Sequence, residues 1–141
     1  MSLTDLRPYF SARLTALGFE EWLDGFSSDN IPGTLIDNAF HQSFGTFSGQ
    51  TTTQADQEIR SSVQIECFFK GFRDPGSKIQ EAVGRAEGVI SACMSHKNFM
   101  STSIKAVYLD SMNIEAFDLE GNDNIVLATI VFEVRSFICI N

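Results

Sequence analysis

The chain has 141 residues, of which 43% are hydrophobic, and carries a formal net charge of -8 with a pI near 4.6. That length predicts a single domain burying about two-thirds of the surface of its unfolded chain. The acidic balance argues against a surface built to grip nucleic-acid phosphates, which takes clustered Lys and Arg.

From the N-terminus, Leu3, Leu6, Phe10, Leu14 and Leu17 recur at helical spacing, with Ser2 or Thr4 as a cap and Gly18 as a stop, and predict a helix over residues 3–17. Pro8 falls inside this window and should kink or restart it. The residues up to Leu14 lack the apolar core of a secretion signal, and no stretch approaches the roughly 18 apolar residues of a membrane span. A soluble protein that is not exported by this route is expected. Phe19, Trp22, Leu23 and Phe26 then form an aromatic connector that should plug one end of the core. After the turn signals Asp29-Asn30 and Pro32-Gly33, residues Ala39 to Phe47 read as a strand with Phe40 and Phe44 on one face. Ser48 to Gln57 holds almost nothing apolar and reads as a long mobile polar loop between two paired strands. Within it, Gln50, Thr51, Thr52, Thr53 and Gln54 are candidate contacts that order against a neighbour.

The next stretch is the centre of the chain. Val63, Ile65, Cys67 and Phe69 alternate with Ser62, Gln64, Glu66 and Lys70, the period of two of a half-buried strand. Asp74 is placed as an N-cap and Pro75 as the first residue of a long helix. Ile79, Ala82, Val83, Ala86, Val89, Ile90, Cys93 and Met94 give that helix one apolar stripe, which should cover the sheet. Beside the stripe run Gly84, Gly88, Ser91, Ala92 and Ser95. A glycine inside a helix costs about 1 kcal/mol against alanine, so two of them ask for close approach of another backbone, from the first helix or from a neighbouring subunit. Gly84, Gly88 and Ser91 are therefore candidate contact residues.

Asn98 to Thr102 turns the chain, and Ile104 to Leu109 and Met112 to Leu119 read as two strand segments. Gly121-Asn122-Asp123-Asn124 predicts the turn of a hairpin leading into a strand from Ile125 to Ile140. That last strand is apolar on both faces. One face is assigned to the long helix and the other to the first helix or a neighbouring subunit.

These elements define an α+β class: one domain over 1–141, with about four mainly antiparallel strands packed by the long helix and the N-terminal helix. The chemistry-bearing residues form no constellation. Gly71 and Gly76 lack both phosphate-loop and dinucleotide spacing. Cys67, Cys93 and Cys139 are far apart in apolar contexts, which points to a reducing, cytosolic setting without a disulfide framework or a metal cluster. His41 and His96 read as structural, and Cys93, three residues before His96, belongs to the apolar stripe and would be a poor nucleophile. Asp110, Glu115, Asp118, Glu120 and Asp123 lack calcium-loop spacing and read as a solvated acidic surface. No catalytic, cofactor-binding or metal-binding residue is assigned.

The run Leu35-Ile36-Asp37-Asn38-Ala39-Phe40, the polar loop, the strand Ile65-Glu66-Cys67-Phe68-Phe69-Lys70-Gly71, the helix opened by Asp74-Pro75, and the hairpin at Asn122-Asp123-Asn124 resemble the tail terminator proteins of long-tailed bacteriophages. The resemblance spans roughly residues 33–138. It implies a small non-enzymatic structural protein of the virion, made in the host cytoplasm, that assembles as a hexameric ring on the head-proximal end of the tail tube. Such a ring stops tube polymerisation and offers a surface to the head-tail connector, while DNA passes through its lumen without specific binding and no membrane is involved. A net negative lumen would suit that passage by repelling the DNA backbone. The competing expectation from the residues alone is a small cytosolic ligand-binding domain or enzyme of unknown substrate.

Overall fold

A computed structural model describes residues 6–22, 38–51, 56–70, 75–100, 102–118 and 124–139. In chain order its elements are α1 (Leu6–Ala16), β1 (Glu20–Glu21), β2 (Ala39–Thr51), β3 (Asp56–Lys70), α2 (Pro75–Met94), α3 (His96–Phe99), β4 (Ile104–Asp118) and β5 (Asn124–Cys139). The class is α+β. Among the described residues the sheet has five strands in the order β1-β2-β3-β5-β4. The four long strands pair antiparallel, and the two-residue β1 adds in parallel to β2.

The alternation read in β3 sets the core. Val63, Ile65, Cys67 and Phe69 lie opposite Phe132, Ile130, Ala128 and Val126 of β5, and all eight are fully buried. Ala82, Ala86, Val89 and Cys93 of α2 cover this face and are equally buried. Ile79 and Ile90 pack at the margin of the stripe, and Met94, at 38% exposure, lies outside it. Pro75 opens α2 as the sequence predicts, where its missing N–H has no partner to lose.

α1 packs on the same face of the sheet as α2. Phe10 stacks at 5.6 Å from Phe132, and Leu6, Tyr9, Phe10 and Leu14 join the core that α2 caps. The other face of β5 is therefore not covered by the first helix. It instead carries a small cluster of its own, in which Ala39, Phe68 and Ile125 are buried and Leu127 packs against them. Pro8 occupies the first turn of α1, where no amide has an intrahelical acceptor, so the helix runs through it. The predicted stop at Gly18 is a Schellman end. Phe19 N–H donates to the Leu14 carbonyl at 3.1 Å and Gly18 N–H to that of Thr15 at 3.0 Å, with Gly18 at a φ of 91°.

Three boundaries differ from the sequence reading. The stretch read as a loop over 48–57 is strand at both ends. Ser48, Gly49, Gln50 and Thr51 pair with Arg60, Ile59, Glu58 and Gln57, while residues 52–55 lie outside the described residues. Pairing to a strong central strand overrides the weak local preference of Ser, Gly and Gln. The two segments after α3 form one continuous strand, β4, whose register shifts between Leu109 and Ser111 let it bend without breaking. Finally, β1 arises within the aromatic connector. Glu20 N–H donates to the Asn38 carbonyl at 2.9 Å, a pairing that no local pattern encodes. Phe19 fills the core end as expected, with its ring 5.9 Å from that of Phe69, and Leu23 and Phe26 lie outside the described residues.

Candidate assembly surface

The small residues of α2 fall on its solvent side. Gly84 and Ser91 are exposed and Gly88 is partly so. A Cβ placed on Gly84 or Gly88 meets no atom within 4 Å. The first helix therefore does not use these glycines for close approach, and among the described residues nothing packs closely enough to offset their helix-destabilising effect. Of the polar residues singled out in the predicted loop, Gln50 and Thr51 end β2, and Thr52, Thr53 and Gln54 lie outside the described residues.

The flank of α2 facing α1 is instead held by Arg85. Its Nη1 donates to Asn38 Oδ1 at 2.7 Å, its Nη2 donates to the Leu17 carbonyl at 2.8 Å, and its guanidinium lies 4.5 Å from the centre of the Phe19 ring. One side chain thus supplies a cation to the C-terminus of α1, a hydrogen bond to the residue just before β2, and a face to a core aromatic. Asn38 adopts a φ of 64°, which asparagine tolerates better than most residues. Sequence reading missed Arg85 because its partners are 47 and 68 residues away.

Beneath α1 lies a buried polar group centred on Gln42, which is 1% exposed on the core side of β2. Its Nε2 donates to Ser11 Oγ at 2.7 Å and approaches both Glu21 carboxylate oxygens at 3.3 Å. Ser11 Oγ in turn donates to Glu21 Oε1 at 2.8 Å, and Arg7 Nη1 stands 3.5 Å from Glu21 Oε2. The signal was present as a Gln between Phe40 and Phe44 on an apolar face, but only the fold supplies its partners.

On the face without helices, Glu58 is 6% exposed and is flanked by Lys105 Nζ at 3.9 Å and Arg135 Nε at 3.7 Å. Arg135 also reaches Glu133 at 3.7 Å and lies over the Tyr108 ring at 5.1 Å. Burial of this carboxylate is made tolerable by two cations, one from the adjacent β5 and one from β4 beyond it.

The histidines and the two cysteines with described side chains lie apart from one another in role and setting. His41 Nδ1 donates to the Trp22 carbonyl at 2.8 Å, and His96 is exposed with its ring against Phe99. Burial pushes the Cys93 thiol up to about 12, with the Arg13 charge a smaller opposing influence, and burial pushes Cys67 upward as well. Thiols held protonated at neutral pH are weak nucleophiles. Among the described residues no group of three or more His, Cys, Asp or Glu is arranged to hold a metal ion, and no helix is long and apolar enough to cross a membrane.

No protein-family model matches the chain, and no curated protein matches it.

Proposed function

We propose that this chain is a structural tail terminator, a subunit that closes into a ring, hexameric in the resembling family, on the head-proximal end of a phage tail tube. The ring stops tube growth and receives the head-tail connector, and the protein is made in the host cytoplasm and ends in the virion. The observation that carries the reading is the outer side of α2. Gly84 and Gly88 weaken the helix, yet among the described residues a Cβ at either position would meet no atom within 4 Å, which is the surface a closely approaching neighbour would use. The α+β fold, with β3 leading into α2 across an antiparallel sheet and then into a β4–β5 pair, keeps the strand, helix, strand, strand order of the resemblance, while the polar loop of that resemblance is strand at both ends. The net charge of -8 is compatible with a conduit along which DNA slides.

The test is removal and replacement of the chain in a phage that encodes it. Without it, tails should be overlong and lack heads in negative-stain images, and wild-type protein supplied in trans should restore length and joining. Tails of normal length joined to heads in the absence of the chain would refute the reading.

A further inference from the structure

We infer that the outer edge of β4 is a docking site for an extended segment of a different protein, one that alternates apolar with basic residues and adds to the sheet as a further strand. Among the described residues β4 has a ladder partner on one side only, β5, so the backbone groups of its other edge face outward. Half of the six large apolar side chains exposed among the described residues lie on this strand, the others being Leu17, Met94 and Met100. Tyr108 is 46% exposed, Leu109 42% and Met112 38%. Beyond the bulge at Leu109/Ser111 the register with β5 is regular from Ser111 to Asp118, which leaves an uninterrupted template. Leu109, Met112 and Ile114 stand opposite Phe132, Ile130 and Ala128, on the side that α2 covers, so the alternate residues of an added strand on that side would be apolar. Ser111, Asn113 and Glu115 stand opposite Val131, Thr129 and Leu127 on the helix-free side.

From Ala106 to Ala116 the charged residues are Asp110 and Glu115, both exposed and both acidic, so the complementary residues of the incoming strand are Lys or Arg. A second copy of the chain is a poor source. Its own β4 edge would set the acidic pair Asp110 and Glu115 against like charges, β2 contains no Lys or Arg, and the basic residues of β3 and β5 sit in strands already paired on both sides. The site goes beyond the ring reading and does not depend on it.

The experiment titrates the full-length, isotope-labelled protein with a short capped peptide of alternating valine and lysine, and with a control in which glutamate replaces lysine. The basic peptide should shift and protect the amides of Ser111 to Ala116 and bind at least about tenfold more tightly than the acidic one. Asp110→Lys with Glu115→Lys should reverse that preference while leaving the remaining amide signals in place, and Met112→Ser should weaken both peptides. Absence of binding, equal affinity for both peptides, or protection that falls elsewhere would overturn the proposal. So would concentration-dependent protection of the same amides without peptide, because the edge would then belong to a second copy.

Discussion

The Tyr9 hydroxyl donates a 2.5 Å hydrogen bond to the backbone carbonyl of Cys93, joining the first turn of α1 to the last turn of α2 across 84 residues. Carbonyls in the last turn of a helix have no intrahelical donor, so the phenol satisfies one of them within the core. Tyr9→Phe keeps the ring, which meets Phe10 edge-on at 5.1 Å, and removes only the donor. It should lower stability by about 1–2 kcal/mol in urea unfolding without altering the fold. An unchanged midpoint would show that the carbonyl finds water at no loss.

Arg85 is a second long-range tie, and its three contacts are not equivalent to one charge. Arg85→Lys keeps the charge but cannot donate to Asn38 and Leu17 in the same planar geometry. Both Arg85→Lys and Arg85→Ala should lower the melting temperature, with alanine costing about 2–3 kcal/mol and lysine recovering less than half of that. Full recovery by lysine would reduce the residue to a helix-end cation.

The stripe on α2 makes a graded prediction. Val89 is fully buried and Ile90 packs at the margin. Val89→Asp should unfold the protein or cost more than about 4 kcal/mol, and Ile90→Asp should destabilise it strongly but by a smaller amount, because its carboxylate can turn toward water. Circular dichroism melts of the two variants check the order, and the reverse order would mean that α2 is rotated from the position described.

Gly84 and Gly88 separate stability from assembly. Since an added Cβ meets no atom within 4 Å at either site, Gly84→Ala and Gly88→Ala should each raise stability by about 0.5–1 kcal/mol. Gly88→Leu should leave the isolated chain folded yet fail to restore tail length in trans. If it restores length fully, this side of α2 is not the contact between subunits.

Stability should decline in alkali for a stated reason. Burial, followed by the Cys93 charge, raises the Tyr9 phenol from 10.0 to about 12, and burial raises the Cys93 thiol from 9.0 to about 12. Each group is protonated in the folded chain where it would ionise in the unfolded chain, so the unfolded state binds fewer protons and stability falls with rising pH. The contribution is intact below about 9 and is lost between roughly 9 and 12, with a slope of at most about 1.4 kcal/mol per pH unit for each group. Urea midpoints measured across that window check it, and Cys93→Ala should flatten the decline.

The sequence by itself determined the elements whose signal is local. β3 and α2 follow from periods of two and of three to four residues, the end of α1 from Gly18, the start of α2 from Pro75, and the β4–β5 pairing from two apolar strands separated by turn residues. These are choices each segment makes with its own backbone and its own apolar face. Tertiary structure alone decided what depends on distant partners. Residues 48–51 and 56–57 became strand because β3 and β5 offer a ladder to pair with, and α1 joined α2 on one face because Phe10 finds Phe132 there. Gln42, Glu58 and Arg85 acquired their roles from groups brought to them across the sheet, since a polar side chain carries no mark of which distant atom will satisfy it. The outer side of α2 is divided in the same way. Its small residues are legible in the chain, but whether they meet the first helix or open space is fixed only by where the fold sets α1 down.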